Sequence, residues 1–252
     1  VKILILDIET SPNIAHVWGL FKQTVSLSQL MASSRVLCVA AKWVGQKETY
    51  FFSEFDGAGL SKAHHNQMIR NMWDMIDEAD AVIHYNGSNF DMPILNGEFE
   101  RLRLGVPAPY KNIDLCQTVK KTFRLTSAKL EYVLKHFEIG AKVSHTGHQL
   151  WVDCLNGDPK AWALMEKYNR GDVVPLEKLY KRLLPWMKGH PNVNLYLGTT
   201  DMCTNCGSAS LVKRGFAYTA MTKFQRLRCT DCGTWMRSNK RLDASTVTQV
   251  KG

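Results

Sequence analysis

The feature that most constrains this chain is its opening, VKILILDIET. An apolar run of this kind builds a buried strand, predicted over residues 2–8, and it ends on two carboxylates, Asp7 and Glu9. Successive strand side chains alternate faces, so Asp7 and Glu9 share one face and crowd like charges together. A cation, a proton or bulk solvent must relieve that crowding.

The next segments fix the fold class. RVLCVAAKWV (35–44) and ETYFFSE (48–54) read as strands joined by the GQK turn, so the first three strands form a meander. HHNQMIRNMWDMIDEA (64–79) has helical spacing of Met68, Ile69, Met72, Trp73 and Ile76, and AVIHYN (81–86) is the next strand. A helix over 92–104, a short strand near 112–115, helical segments over 115–137 and a loop near 140–150 follow. A long helix is predicted over 159–187, with Pro175 expected to kink it. The class is α/β: a mixed sheet flanked by helices. GHPNVNLYLGTTDM (189–202) gathers Gly, Pro and Asn, which sets the boundary between domains at 1–190 and 198–252.

Two more acidic positions bear on the opening pair. Asp91, in YNGSNFDMPIL, follows a strand and a loop and sits where a helix begins, from which it could point at the sheet edge carrying Asp7 and Glu9. Tyr168 and Asp172, in YNRGD, are four apart and share a helix face. Taken singly, Asp91 also suits a carboxylate at a helix N-terminus, and Asp172 a surface acid.

The three local sequences DIET, YNGSNFDMPIL and YNRGD, each about eighty residues from the next, resemble the exonuclease motifs of the DEDD superfamily. That superfamily has an RNase H-like fold, and the resemblance is nearest to the proofreading domain of family B DNA polymerases and its free-standing relatives. Tyr85, Asn86, Phe90, Asp91 and Pro93 fall where that branch has them, and the likeness runs from residue 1 to about 187. The Tyr, three residues, Asp pattern is that of the tyrosine branch, DEDDy; Lys167 stands where the histidine branch has its histidine.

The resemblance implies that Asp7, Glu9, Asp91 and Asp172 hold two Mg²⁺ or Mn²⁺ ions. Asp7 would bridge both, Glu9 and Asp172 would serve the ion that holds the attacking water, and the Tyr168 hydroxyl would orient that water. Glu9 would also touch the terminal 3'-hydroxyl, and Thr10, Asn86 and Phe90 would contact the terminal nucleotides. Hard oxygen ligands suit these ions, and a pair of divalent cations about 3.5–4 Å apart can stabilise attacking and leaving oxygens of a phosphodiester. Asp114 lies outside this set and reads as structural. His145 and His148, in HTGH, read as a polar loop.

Cysteines supply the second site. Cys38, Cys116 and Cys154 are isolated among apolar residues and read as buried thiols, whereas Cys203, Cys206, Cys229 and Cys232 form two CxxCG turns separated by 22 residues. Two such turns bring four thiolates to one ion, which suits one structural Zn²⁺, and the whole resembles a zinc ribbon with strands over SASLVKRG and TKFQRLRC. Four thiolates leave no open position, so this ion performs no hydrolysis.

From Gly198 onward there are nine Lys and Arg against three Asp, so the basic part of a chain of net charge +9 is its last fifth. Lys213, Arg214, Lys223, Arg226, Arg228, Arg237, Lys240 and Arg241, with Phe216, Tyr218, Phe224 and Trp235 among them, could grip a strand. They equally suit a small domain's core and its solvated surface. Ribbons also dock proteins, so a replication or repair protein is a possible partner. No apolar run is long enough to span a membrane and no signal-peptide pattern opens the chain, which suits an intracellular protein.

The expected function is a two-metal 3'-5' exonuclease that releases nucleoside monophosphates from a nucleic-acid 3' end, with single-stranded DNA the expected substrate. Alternatives are an RNA-trimming exoribonuclease, or a catalytically silent nucleic-acid-binding or adaptor protein.

Overall fold

The opening run forms strand β1 (Ile3–Thr10), followed by two short strands, β2 (Ile14–Ala15) and β3 (Leu30–Ala32), and then β4 (Val36–Trp43) and β5 (Tyr50–Ser53). The computed structural model describes residues 1–140, 144, 146–199 and 201–247; His145 lies outside them. β4 is antiparallel to both β1 and β5, so the meander is present. The excursion carrying β2 and β3 exposes Trp18, Leu20 and Phe21.

Helix α1 (Lys62–Asp77) leads to β6 (Ala81–His84), and α2 (Asp91–Arg101) to β7 (Lys111–Asp114). Both strands join the other side of β1 in parallel, giving a mixed sheet of order β5-β4-β1-β6-β7. Strand alternation then sorts the side chains. Leu4, Leu6 and Ile8 turn to one face and pack with Met68, Met72 and Ile76 of α1 and Leu95 and Phe99 of α2. Each such side chain, fully buried, contributes about 1.5–3 kcal/mol. Asp7 and Glu9 therefore face the opposite way.

Helices α3 (Leu115–Thr122), α4 (Leu130–His136), α5 (His148–Leu155) and α6 (Pro159–Leu183) follow. On the second face, Leu37 and Cys38 of β4 pack with Leu150 and Cys154 of α5 and with Trp162, Met165 and Tyr168 of α6. The sequence reading has a loop over 140–150, whereas α5 begins at His148. Two turns are too short for the helical period of Leu150, Trp151, Cys154 and Leu155 to stand out. Pro175 removes one donor from α6, yet the helix continues to Leu183, and a 3-10 turn takes Leu184–Trp186. A buried ion pair, Lys42 Nζ to Glu177 Oε2 at 3.1 Å, ties α6 to β4, and Glu177 Oε1 also accepts from Gly45 N.

The chain divides into two compact units, Lys2–Lys178 and a second that begins at Leu179. The second holds α7 (Val193–Leu197) and an antiparallel sheet of β8 (Leu211–Tyr218), β9 (Thr222–Cys229) and β10 (Trp235–Ala244), in the order β10-β9-β8. β10 escaped the sequence reading because its centre, RSNKR, is polar throughout; most of its residues are exposed, so no apolar alternation marks it. Among the described residues no helix is long and apolar enough to cross a membrane.

Candidate active site

Helix α6 brings a third carboxylate to the pair on β1. Its inward face carries Met165, Tyr168, Asn169 and Asp172 at spacings of three and four, and all are buried. One carboxylate oxygen from each of Asp7, Glu9 and Asp172 lies within 4.8 Å of the other two. Asp172 is 1% exposed, whereas Asp7 and Glu9 are half-buried. Three like charges so close, one of them out of water, are stable only with a cation or proton among them. The all-oxygen donor set fits Mg²⁺ or Mn²⁺ rather than a thiophilic metal.

Asp91 stands outside that group of three. It is the first residue of α2, and its Oδ1 accepts from Ile8 N at 3.1 Å. The cause lies in the sheet: β1 pairs with β6 only through Ile3, Leu4 and Ile5, so farther along that edge the Ile8 N–H needs another acceptor. Asp91 is thus held one residue from Asp7. Burial pushes its carboxyl up to about 6, against the opposing effect of the Ile8 N–H.

The turn from β6 to α2 is built by buried polar groups. Asn86 adopts φ 65°, a conformation asparagine tolerates, and its N–H donates to Asp114 Oδ1 at 3.0 Å. Asp114 also accepts from Ser88 N at 3.4 Å and caps α3 through Gln117 N at 3.2 Å, which is a structural role. His84 Nδ1 accepts from Gly87 N at 3.0 Å while Nε2 donates to Asn112 Oδ1, and burial holds this histidine below its ordinary pKa, so it is neutral. The turn leaves the Asn86 and Phe90 side chains exposed, Phe90 by 44%. Thr10, half-buried, ends β1 just past a register shift after Glu9.

Tyr168 is 7% exposed, with its ring edge-on to Trp151 at 6.2 Å. The sequence reading missed its neighbour Asn169, whose Nδ2 donates to both the backbone carbonyl and the Oδ2 of Asp7, at 3.2 and 2.8 Å. A polar residue three before Asp172 on the same helix face was the available signal. Gly87 and His84 were missed as well, since only tertiary contacts reveal them.

In the second unit the four cysteines converge as their spacing predicts. Cys203 Sγ lies 3.5 Å from Cys232 Sγ and Cys206 Sγ lies 3.7 Å from Cys229 Sγ, with all four within 4.8 Å. Thiolates around a tetrahedral zinc at about 2.3 Å stand roughly 3.8 Å apart, so the cluster fits that ion. Gly207 and Gly233 adopt φ 75° and 80°, and each donates its N–H to the first cysteine of its turn. At Gly207 a Cβ would also come within 3.2 Å of Val193 Cγ1. The cluster and the three antiparallel strands are compatible with a zinc ribbon.

The family model RNase_H_2, of the RNase_H superfamily, matches residues 24–184, more than half of the chain. Asp91, Tyr168 and Asp172 fall inside that span, and Asp7 and Glu9 precede it. No curated protein matches the chain.

Proposed function

Because this chain belongs to the RNase H superfamily, whose fold implies a nuclease acting on nucleic acid, we propose that it is a metal-dependent 3'-5' exonuclease of the tyrosine DEDD branch. The observation that carries this reading is the convergence within 4.8 Å of Asp7 and Glu9 on one strand with Asp172 on a helix, 165 and 163 residues away in sequence. Asp7, Glu9 and Asp172 would hold the catalytic Mg²⁺ or Mn²⁺, with Asp91 as the fourth carboxylate. Those ions, when bound, supply the positive charge that a phosphodiester needs to accept an attacking water and release its 3'-oxygen.

The chain's own residues do the rest. Asn169 holds the Asp7 carboxylate in place by donating to its Oδ2. Tyr168, one turn before Asp172, orients the attacking water through its hydroxyl. Phe90 offers an exposed ring to the terminal base, and Asn86 and Thr10 position the terminal nucleotides. Cys203, Cys206, Cys229 and Cys232 hold a structural Zn²⁺.

The experiment is digestion of 5'-labelled single strands of DNA and RNA, run side by side with Mg²⁺ or Mn²⁺. A ladder shortening from the 3' end is expected for wild type, and its loss in Asp7→Asn and Asp172→Asn. Undiminished activity in either variant overturns the assignment, and Tyr168→Phe should slow turnover by about 10- to 1000-fold without loss of metal affinity.

A further inference from the structure

The two faces of the β8–β10 sheet differ in chemistry. Residues directly opposite in an antiparallel pair share a face. The register sets Arg228 opposite Val212 and Trp235, Arg226 opposite Arg237, and Phe224 opposite Ala217 and Arg241. These positions make one face, and Leu227 and Met236 belong to the other. The first face is wet, since Arg226, Arg228, Trp235, Arg237 and Arg241 are exposed while Leu227 and Met236 are half-buried. It has four arginines and, among its paired positions, no acid; Asp243 pairs with Lys223 on the opposite face.

These arginines are ordered by aromatic rings. The guanidinium groups of Arg226 and Arg228 lie over Trp235 at 5.1 and 5.7 Å, and that of Arg237 lies over Phe224 at 4.0 Å. Stacking uses the flat face of a guanidinium and leaves its in-plane N–H donors pointing outward. Among the described residues Arg226 bonds through Nε, to the Arg214 carbonyl at 2.9 Å. Like charges held side by side repel, and no acid among the described paired positions of this face offsets them, so the face complements a polyanion.

We propose that this face binds single-stranded nucleic acid, the arginines forking backbone phosphates while Trp235 and Phe224, with their guanidinium caps, present planes to unpaired bases. A duplex hides its base faces from such planes, and an acidic protein segment would use the charge but not the rings. The surface belongs to the second unit and the carboxylates to the first, and it goes beyond the exonuclease reading, adding a second contact for the same class of substrate.

The test is fluorescence anisotropy of a labelled 20-nucleotide single strand with the full chain, in buffer free of Mg²⁺ and Mn²⁺. No cleavage is needed, so failure here and failure of the exonuclease reading are distinguishable. The pair Arg228→Gln and Arg237→Gln is compared with Lys213→Gln and Lys223→Gln, which removes the same charge from other positions on the sheet. The arginine pair should weaken binding at least tenfold and flatten the dependence of log affinity on log salt by about 1.4, roughly 0.7 per lost phosphate contact. The lysine pair should change affinity less than twofold. Trp235→Ala should weaken binding roughly 5- to 100-fold, and Trp235→Phe should recover most of it. Zinc content of each variant reports folding, and if Trp235→Ala loses zinc, the paired arginine and lysine variants decide. Equal losses in the two pairs, no loss in either, tighter binding of the matching duplex, or equal competition by polyglutamate each overturns the proposal.

Discussion

Asn169 donates from Nδ2 to both the backbone carbonyl and the carboxylate Oδ2 of Asp7, at 3.2 and 2.8 Å, from a position wholly closed to solvent. One side chain thereby fixes the helix that carries Asp172 to the strand that carries Asp7, and it orients the Asp7 carboxylate. On the exonuclease proposal, Asn169→Ala should lower turnover by about 10- to 100-fold, equivalent to about 1.4–2.8 kcal/mol of barrier. It should also raise the Mg²⁺ concentration needed for half activity. A metal titration of the variant checks both, and unchanged turnover with unchanged metal demand would show that the amide serves packing alone.

Gly87 gives a second test, of the turn that places Asp91. A Cβ there would lie 2.5 Å from His84 Cγ, 2.7 Å from His84 Nδ1 and 2.8 Å from Asp91 Oδ2. His84 cannot retreat without breaking its bonds to Gly87 N and Asn112. Gly87→Ala should destabilise the protein by about 2–4 kcal/mol, read as a lower urea midpoint. Gly97, inside α2, has open space at its Cβ position, so Gly97→Ala should instead stabilise by about 0.5–1 kcal/mol. The opposite signs separate crowding at one glycine from helix propensity at the other.

The contrast between those glycines shows what a sequence makes legible. The sheet's first three strands, α1, β6 and the long α6 were readable because each carries its own period or apolar run. Asp7 and Glu9 were readable as a pair because strand alternation puts them on one face, Asp172 joined them only through the resemblance of YNRGD to a known motif, and the cysteine turns were readable because their chemistry is local. Asn169 acts through a partner 162 residues away, His84 through partners 3 and 28 away and Gly87 through side chains 3 and 4 away, contacts that no sequence period reports. Asp91 was legible as a residue but not in its bond to Ile8, which depends on where β6 stops pairing with β1.

The cysteine cluster predicts a folding dependence confined to the second unit. Its strands present mostly exposed or half-exposed residues, so burial alone gives that sheet little stability. Chelation of zinc, or Cys206→Ser, should release β8–β10 to proteolysis while Lys2–Lys178 stays resistant, and the intact protein should contain one zinc per chain. Elemental analysis and limited proteolysis measure the two quantities. A chelated protein that resists protease throughout would mean that the sheet stands without metal.

The last prediction concerns pH and a charge network that shares no residue with the carboxylate site. His65 of α1 is 7% exposed and lies between two carboxylates, Nδ1 at 3.4 Å from Glu54 Oε2 and Nε2 at 3.3 Å from Glu98 Oε2. Arg35 forks Glu54 at 2.9 and 2.7 Å, and Arg101 holds Glu98 at 2.7 Å. Burial alone would lower the pKa of His65, but the two carboxylates outweigh it and raise the value from 6.5 to about 9. The folded state therefore holds this proton more tightly than the unfolded chain. The stabilisation is fully present below pH 6.5 and is lost as pH rises through about 9. At about 1.4 kcal/mol per pKa unit, the full contribution is about 3–4 kcal/mol. Urea unfolding at pH 6, 7.5 and 9 should show stability falling over that window, and His65→Gln, which keeps a donor but no titration, should flatten the fall. An equally steep fall in the variant would assign the pH dependence to other groups and leave His65 neutral in its niche.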